Sequence, residues 1–446
     1  MTNGQKPTRV IPEPPSNFEP PPQDPRVTRW KIPVEIVTPY VGGGVVAGEV
    51  DRNYPVRPTA IRGQLHYWWR LLNQGDLDQN QLRQREREIF GDTSRASSIN
   101  VLVSHVKNVE LASPGDHGFI KPFSPEAYAL FASIQNQQMV GKPKITFELT
   151  VELLKPRDGH AIQSIDRDVQ QALSAWLYYG GLGGRTRRGC GAVFSSWIQN
   201  QNPPAIPASI FLGPEQRDPW HAWKEAVKVY RDFRQEFRGP NHPKTLRNGK
   251  TIRVPGRSYW PEPDSIRQVT GCALKSGVSS SANVPPETNP HDHSQPIVDK
   301  RYLPSFPRAL LGMPINFHFA DGGKMAVPLR DPADVQITPL IPSDKGYVEA
   351  ERMASPVITR PFYYQTKWYP VVIILPSQFG EDFKIRLYGK YALPGRQGSA
   401  QELKKDFNSN AVFLPGGNSV KPLGGATDAL EGLKKYLLSK GFKQVE

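Results

Sequence analysis

The chain has 446 residues, enough for two or three domains at roughly 150 residues each, and its 45 prolines, about twice the usual share, predict folded domains threaded with long loops. Lysine and arginine number 56 against 42 aspartate and glutamate, a net charge of +14 that points to a polyanionic partner, with nucleic acid ahead of an anionic membrane surface. The longest strongly apolar run, residues 371–375, falls far short of the roughly 20 residues that cross a bilayer, and Cys190 and Cys272 are too few for a disulfide scaffold or a four-cysteine metal site, which fits a reducing cytoplasm.

Residues 7–25 are rich in proline, lack the apolar stretch of a signal peptide, and read as a disordered, polyproline-like arm. Trp30, Ile32, Val34 and Ile36 then alternate with Lys31, Pro33 and Glu35 as a half-buried strand does, before a flexible loop at Gly42, Gly43 and Gly44. Ile61, Leu65, Trp68 or Trp69, and Leu72 recur at spacings of three and four, which predicts an amphipathic helix. Residues 100–106 suit a second strand. The clearest strand is 145–154, where Ile145, Phe147, Leu149, Val151 and Leu153 share one face and Thr146, Glu148, Thr150 and Glu152 the other, so that one side meets water or a ligand. A second helix places Val169, Leu173, Trp176 and Leu177 on one stripe and stops in the glycine cluster 180–184, after which residues 192–198 resume a strand. Strand, helix, strand, strand, helix, strand is the order of a ferredoxin-like domain.

Residues 203–207 read as a linker, and residues 219–238 as a helix that opens a second domain, with Trp223, Val227, Tyr230 and Phe237 on its apolar stripe. Residues 241–257 and 275–296 read as long loops, strand material returns at 315–319 and 369–375, and Leu430, Leu433 and Leu437 mark a last helix. The only internal echo is a Pro, Thr or Ser, Arg, Gly pattern at 58–63 and 304–312.

The segment 180–191 carries the most chemistry. It ends a helix and opens a strand, the reverse of a dinucleotide-binding fingerprint, and lacks the Gly-Lys-[Ser/Thr] of a P-loop. Gly181, Gly183, Gly184, Gly189 and Gly191 would let the backbone approach a sugar-phosphate chain, while Arg185, Arg187 and Arg188 add bidentate phosphate donors; the other reading is a basic hairpin that only caps the helix. In the stretch 57–70, Arg57 precedes the predicted helix, and Arg62, His66 and Arg70 fall near one face at i, i+4 and i+8. That face could grip RNA, with one of Trp68 and Trp69 in the core and the other stacking on a base, or be an ordinary solvated face. Lys224, Lys228, Arg231, Arg234 and Arg238 form a stripe that is either a phosphate track or a salt-bridged surface with Glu225, Asp232 and Glu236. Lys244, Arg247, Lys250, Arg253 and Arg257 make an acid-free basic loop suited to RNA or a partner. No His-Glu-x-x-His occurs, and His291-Asp292-His293 sits in a loop with nothing to hold ligand geometry, so no metal site is expected.

These sites resemble the RAMP superfamily of CRISPR proteins, most closely the two-RAMP subunits numbered one in type III-B (Cmr) effector complexes. The motifs are 38–44, then 57–70 with its Trp-Trp-Arg ending, then 180–191, with weaker matches at 303–312 and 353–357, together spanning most of residues 30–392. The resemblance implies an α+β chain of two tandem ferredoxin-like, RRM-related domains, no cofactor, and a place at the head of an RNA-guided complex near the 3′ side of the guide. There it would help capture target RNA. By position it assigns RNA contact to Arg62, Trp69, Arg70, Gly181, Gly183, Arg185, Arg187, Arg188, Gly189 and Gly191. The organisation expected is an arm at 1–28, a first domain at 29–202, a second at 203–394 with basic and Ser/Pro-rich insertions, and an extension with a terminal helix at 395–446.

The reading is a non-catalytic, cytoplasmic RNA-binding subunit that meets guide RNA, target RNA and other RAMP subunits and no membrane, serves antiviral defence, and grips backbone rather than base sequence. The alternatives are a metal-independent endoribonuclease maturing guide precursors, with His66 as general acid or base, and a structural cap whose charge serves only solubility.

Overall fold

The computed structural model describes residues 24–44, 48–115, 119–154, 162–235, 237–239, 242–245, 249, 251–254, 256–270, 300–319, 334–377, 379–380, 382–392, 400–414 and 420–445. Residues 1–23 of the proline-rich arm, Arg247, Lys250 and the His291-Asp292-His293 triplet lie outside them, while residues 27–28 of the expected arm open the first strand.

The first half builds β1 (Val27–Ile36), α1 (Pro58–Asn73), α2 (Gln79–Phe90), β2 (Ile99–Lys107), β3 (Ile145–Leu154), α3 (Ile162–Tyr179) and β4 (Val193–Phe194). The strands form an antiparallel sheet in the order β2-β3-β1-β4, the topology of a ferredoxin-like unit. The alternation in β3 buries Ile145, Phe147, Leu149, Val151 and Leu153 against α1 and α3, while Glu148 and Glu152 stay on the open face. Helix α2 was not expected from the sequence, since its face toward the core offers only Leu82, Ile89 and Phe90. Its start was nevertheless written in a capping box: the Asp78 carboxylate accepts the Asn80 and Gln81 amides at 2.8 and 2.9 Å. The strand expected at 192–198 is confined to Val193–Phe194, and Ser195 caps a 3-10 turn at Ser196–Ile198.

The second half repeats the topology with large insertions. Strand β5 (Ser209–Leu212), α4 (Pro219–Gln235), β6 (Val357–Tyr364), β7 (Lys367–Ile374), α5 (Ala429–Ser439) and β8 (Lys443–Val445) give a sheet ordered β6-β7-β5-β8. The C-terminal segment read as an extension from 395 therefore supplies the last helix and an edge strand of this sheet, with Lys443 opposite Leu212 and Val445 opposite Ile210. Between α4 and β6, and again between β7 and α5, the chain builds a further antiparallel sheet from Ile315–Phe317, Val335–Ser343, Gly346–Glu349, Lys384–Ala392 and Ala400–Asn408. Part of the expected loop at 241–257 is a hairpin of His242–Thr245 and Thr251–Val254.

Strands β6 and β7 are buried on both faces, which is why they read as near-continuous apolar runs. Ile358, Phe362, Val371 and Ile373 pack on Tyr178 and Tyr179 of α3, with the Phe362 and Tyr179 rings stacked 5.9 Å apart. The opposite face gives Val357, Val372 and Ile374 to a second core with Tyr230 and Phe233 of α4 and Leu433 and Leu437 of α5. The two halves thus share one side of the second sheet.

At that shared face Arg360 of β6 is 3% exposed and donates only to carbonyls: Nη1 to Gly180 at 2.5 Å, Nη2 to Val193 at 2.9 Å and Leu177 at 3.3 Å, and Nε to Pro361 at 2.9 Å. Burial lowers its pKa to about 9, and the Tyr179 hydroxyl pulls the other way. The Leu177 and Gly180 oxygens lie at the C-terminal end of α3, where the helix dipole favours a cation. Arg360→Met leaves these buried acceptors without donors, so it should cost about 2–4 kcal/mol in urea unfolding and separate the transition of the first half from that of the second. A single transition at an unchanged midpoint would show that apolar packing alone joins the halves.

Candidate nucleic-acid interface

The loop from Gly180 to Gly191 is fixed by the chain around Pro39. The Gly191 amide donates to Pro39 O at 2.8 Å, Gly184 to Val41 O at 2.5 Å, and Leu182 to Gly191 O at 2.9 Å. The Thr38 hydroxyl donates to Gly189 O at 2.6 Å and accepts from the Ala192 amide at 2.8 Å. Two glycines are required by shape. At Gly183, φ is +75° and a Cβ would lie 2.4 Å from Val41 O; at Gly189, φ is +70° and a Cβ would lie 2.4 Å from Thr359 O in the second half. The amides of Leu182, Arg188 and Gly189 are taken by carbonyls of the loop itself, and those of Gly184 and Gly191 by Val41 and Pro39, so these five donors are occupied within the protein.

The three arginines of the loop do different work. Arg187 donates to Ser355 O at 2.5 Å and to the Tyr67 hydroxyl at 3.2 Å, tying β6's lead-in segment to α1. Arg188 lies 4.5 Å over the Tyr230 ring and reaches the Tyr230 hydroxyl and Val357 O at 3.5 Å, while Trp223 donates to Arg188 O at 2.8 Å. Arg185 takes a left-handed backbone, φ +57°, and its buried Nε has no hydrogen-bond partner. Burial lowers its pKa, and neighbouring Arg188 adds to that effect.

Arg234 of α4 completes the group, 5.8 Å from the Tyr230 ring centre. Burial opposes its charge, but the Tyr128 and Tyr230 hydroxyls outweigh burial and raise its pKa. Burial of Tyr230 resists ionisation, yet Arg188 and Arg234 bring its pKa below the usual phenol value. Among the described residues, Arg185, Arg188 and Arg234 form no ion pair with a carboxylate. The sequence points to Arg185 and Arg188; it places Arg234 on a stripe that is either a phosphate track or a salt-bridged surface, and Tyr230 on the apolar stripe of the same helix, but not their meeting with Tyr128, which depends on the packing of the two halves.

The helix face at 57–70 is occupied by protein. Arg62 donates to Phe90 O, the His66 imidazole pairs with the Glu86 carboxylate and stacks 4.6 Å from the Phe90 ring, and Arg70 lies 3.5 Å from Glu86. Helix α2 therefore covers much of the expected RNA-gripping stripe, leaving Arg70 exposed. Trp69 is fully buried and Trp68 only 2% exposed, so the expected base-stacking tryptophan is a core residue. Arg57 is half-buried ahead of α1, where its charge opposes the burial that pushes the Tyr40 hydroxyl up to about 12.

On α4, Lys224 pairs with Glu126 at 2.9 Å, Lys228 with Asp232 at 3.4 Å, and Arg231 with Asp232 at 2.7 Å, the salt-bridged alternative for that stripe. Arg257 is buried against Asp264 at 2.8 Å. Arg253 lies on the strand Thr251–Val254, Lys244 on its partner strand, and Lys250 outside the described residues.

Gly189→Ala forces a Cβ against Thr359 O in a left-handed residue, so it should destabilise by about 2 kcal/mol or more. His66→Ala removes a half-exposed pair and should cost about 1 kcal/mol or less. Denaturant melts of both variants check the contrast; equal losses would mean that the loop adjusts around the new methyl group.

No curated protein matches the chain. Among solved structures, apo Cmr1 from Pyrococcus furiosus is 10% identical, with 94% of this chain and 98% of that chain covered at a TM-score of 0.45. A chain of the type III-B Cmr-beta complex bound to cognate target RNA is 9% identical, with 92% of this chain and 100% of that chain covered at a TM-score of 0.39. The RAMP superfamily family model matches residues 34–194, from β1 through the glycine-arginine loop to β4.

Proposed function

We propose that the protein is a non-catalytic RNA-binding subunit of a type III-B (Cmr) CRISPR effector complex, placed at the head of the complex near the 3′ side of the guide and helping to capture target RNA for antiviral defence. The observation that carries this reading is the group of Arg185, Arg188 and Arg234 at the seam of the two halves, half-buried and without carboxylate partners among the described residues. Collecting like charges there is costly unless an anion shares the site, and guanidinium forks fit phosphate oxygens in pairs. The chain's +14 charge would draw a polyanion toward it. Guide and target RNA supply that anion in this proposal, and other RAMP subunits flank the chain. Among the described residues no helix is long and apolar enough to cross a membrane.

One observation favours a second reading, a metal-independent endoribonuclease. Glu86 supplies His66 with the carboxylate partner that the sequence did not reveal, a pair that could orient an imidazole for proton transfer, with Arg70 alongside.

One gel separates the two. Labelled guide and target RNA are incubated with the chain, alone and with co-expressed complex subunits, across a salt series with and without chelator. Uncut RNA should be retained with affinity that falls steeply in salt, and Arg185→Gln should reduce the slope of log affinity against log salt by about one unit. Retention that ignores salt, or an Arg185→Gln slope equal to wild type, would remove the charge cluster from RNA binding. A discrete, chelator-resistant cut lost in His66→Ala would establish the endoribonuclease reading instead.

A further inference from the structure

Phe123 is 97% exposed, the most exposed large apolar side chain among the described residues. It also takes a left-handed backbone, φ +61°, a conformation uncommon for a bulky residue. A flexible loop would relax such strain, but this turn is held on every side. Pro122 and Pro125 flank it, the Ser124 amide donates to Lys121 O at 3.2 Å, and the Ser124 hydroxyl caps the short helix Pro125–Ala129 by accepting the Ala127 amide at 3.2 Å. Arg231 of α4 donates from Nη1 to the Phe123 carbonyl at 3.2 Å while its Nε and Nη2 grip Asp232 at 2.9 and 2.7 Å. The ring is therefore presented to solvent in a fixed place, and little conformational entropy remains to be lost when something packs on it.

The surroundings define what that is. Lys121 and Lys228 are exposed; Lys224 pairs with buried Glu126, and Lys228 and Arg231 share buried Asp232, with Glu225 3.9 Å from Lys228, so the four cations around the turn outnumber its three carboxylates and the rim keeps a small positive excess. The same short helix carries Tyr128, which touches Arg234, and Arg231 and Arg234 sit one turn apart on α4. A single aromatic ring in a cationic rim suits one flat, uncharged group attached to a phosphate chain better than it suits a protein, which would need a broader apolar patch.

We propose that Phe123 is a stacking platform for one unpaired nucleobase of the single-stranded RNA whose phosphates meet Arg185, Arg188 and Arg234. The proposal rests on the RNA-binding reading and adds a base contact to it. The stack is indifferent to base identity, since every base offers a π face, and its contribution carries no counterion release.

The test uses the full chain and single-stranded RNA in which 2-aminopurine replaces one base at a time along the oligonucleotide. One position should be quenched on binding. Phe123→Ala should remove that quenching and weaken affinity about tenfold with the salt slope unchanged, whereas Phe123→Trp should retain both. Thermal melts of the two variants should match wild type because the side chain is exposed. Equal affinity and equal quenching in Phe123→Ala overturn the platform while leaving RNA binding intact. Loss of co-purifying complex subunits with unchanged RNA affinity overturns it in favour of a protein contact. Failure of the wild-type chain to bind RNA at any salt removes the underlying RNA reading together with the platform.

Discussion

A guanidinium buried without a carboxylate is expensive, and Arg360 is placed where backbone oxygens offset that cost. Leu177 and Gly180 present carbonyls that the end of α3 cannot use internally, and Val193 presents one from the strand that resumes after the loop. One side chain of the second half thus holds the two residues that bracket the glycine-arginine loop, one at its start and one at its end. The loop cannot drift relative to β6 without stranding a charge among apolar side chains, so its geometry is set by the second half even though its sequence belongs to the first.

The same constraint explains the unequal roles of the loop arginines. Arg187 and Arg188 are committed to Ser355, Val357, Tyr67 and Tyr230, and removing them would loosen the seam as well as discharge it. Arg185 has the same charge with an unpartnered buried Nε, which makes it the residue through which anion binding can be read apart from assembly. Tyr230 is the shared surface: its ring lies under Arg188 and beside Arg234, so the cations are stabilised by aromatic faces and hydroxyls while their charge stays available.

The first domain was legible because each half-buried element carries its period. The alternation in β3 and the stripe in α3 predict the observed faces, and the glycine cluster at 180–184 marks the end of that helix. The second sheet was harder, because β6 and β7 are covered on both sides and lose their alternation, and because the insertions separate β5 from its neighbours by well over a hundred residues. The site was legible only in part. Arg62, His66 and Arg70 do share a face as their spacing requires, but spacing does not reveal that α2 lies across it; it leaves open which of Trp68 and Trp69 is core, and the resemblance gave RNA contact to Trp69, which is buried with Leu65 and Ile61. Arg234 and Tyr128 come from segments about a hundred residues apart, and only packing brings them together.

Net charge suggests a class of partner without locating where it would bind. The richest run of cations, on α4, is largely neutralised: Lys224, Lys228 and Arg231 each have a carboxylate within 4 Å, and in water such pairs exert little field beyond the Debye length. What distinguishes the seam is that acids are withheld from it while tyrosines are supplied. In the proposed reading a phosphate arriving there displaces no carboxylate, whereas on the stripe it would first have to break an ion pair. On this argument the proposed place of RNA depends less on the number of arginines in a segment than on the lack of carboxylate partners around them among the described residues.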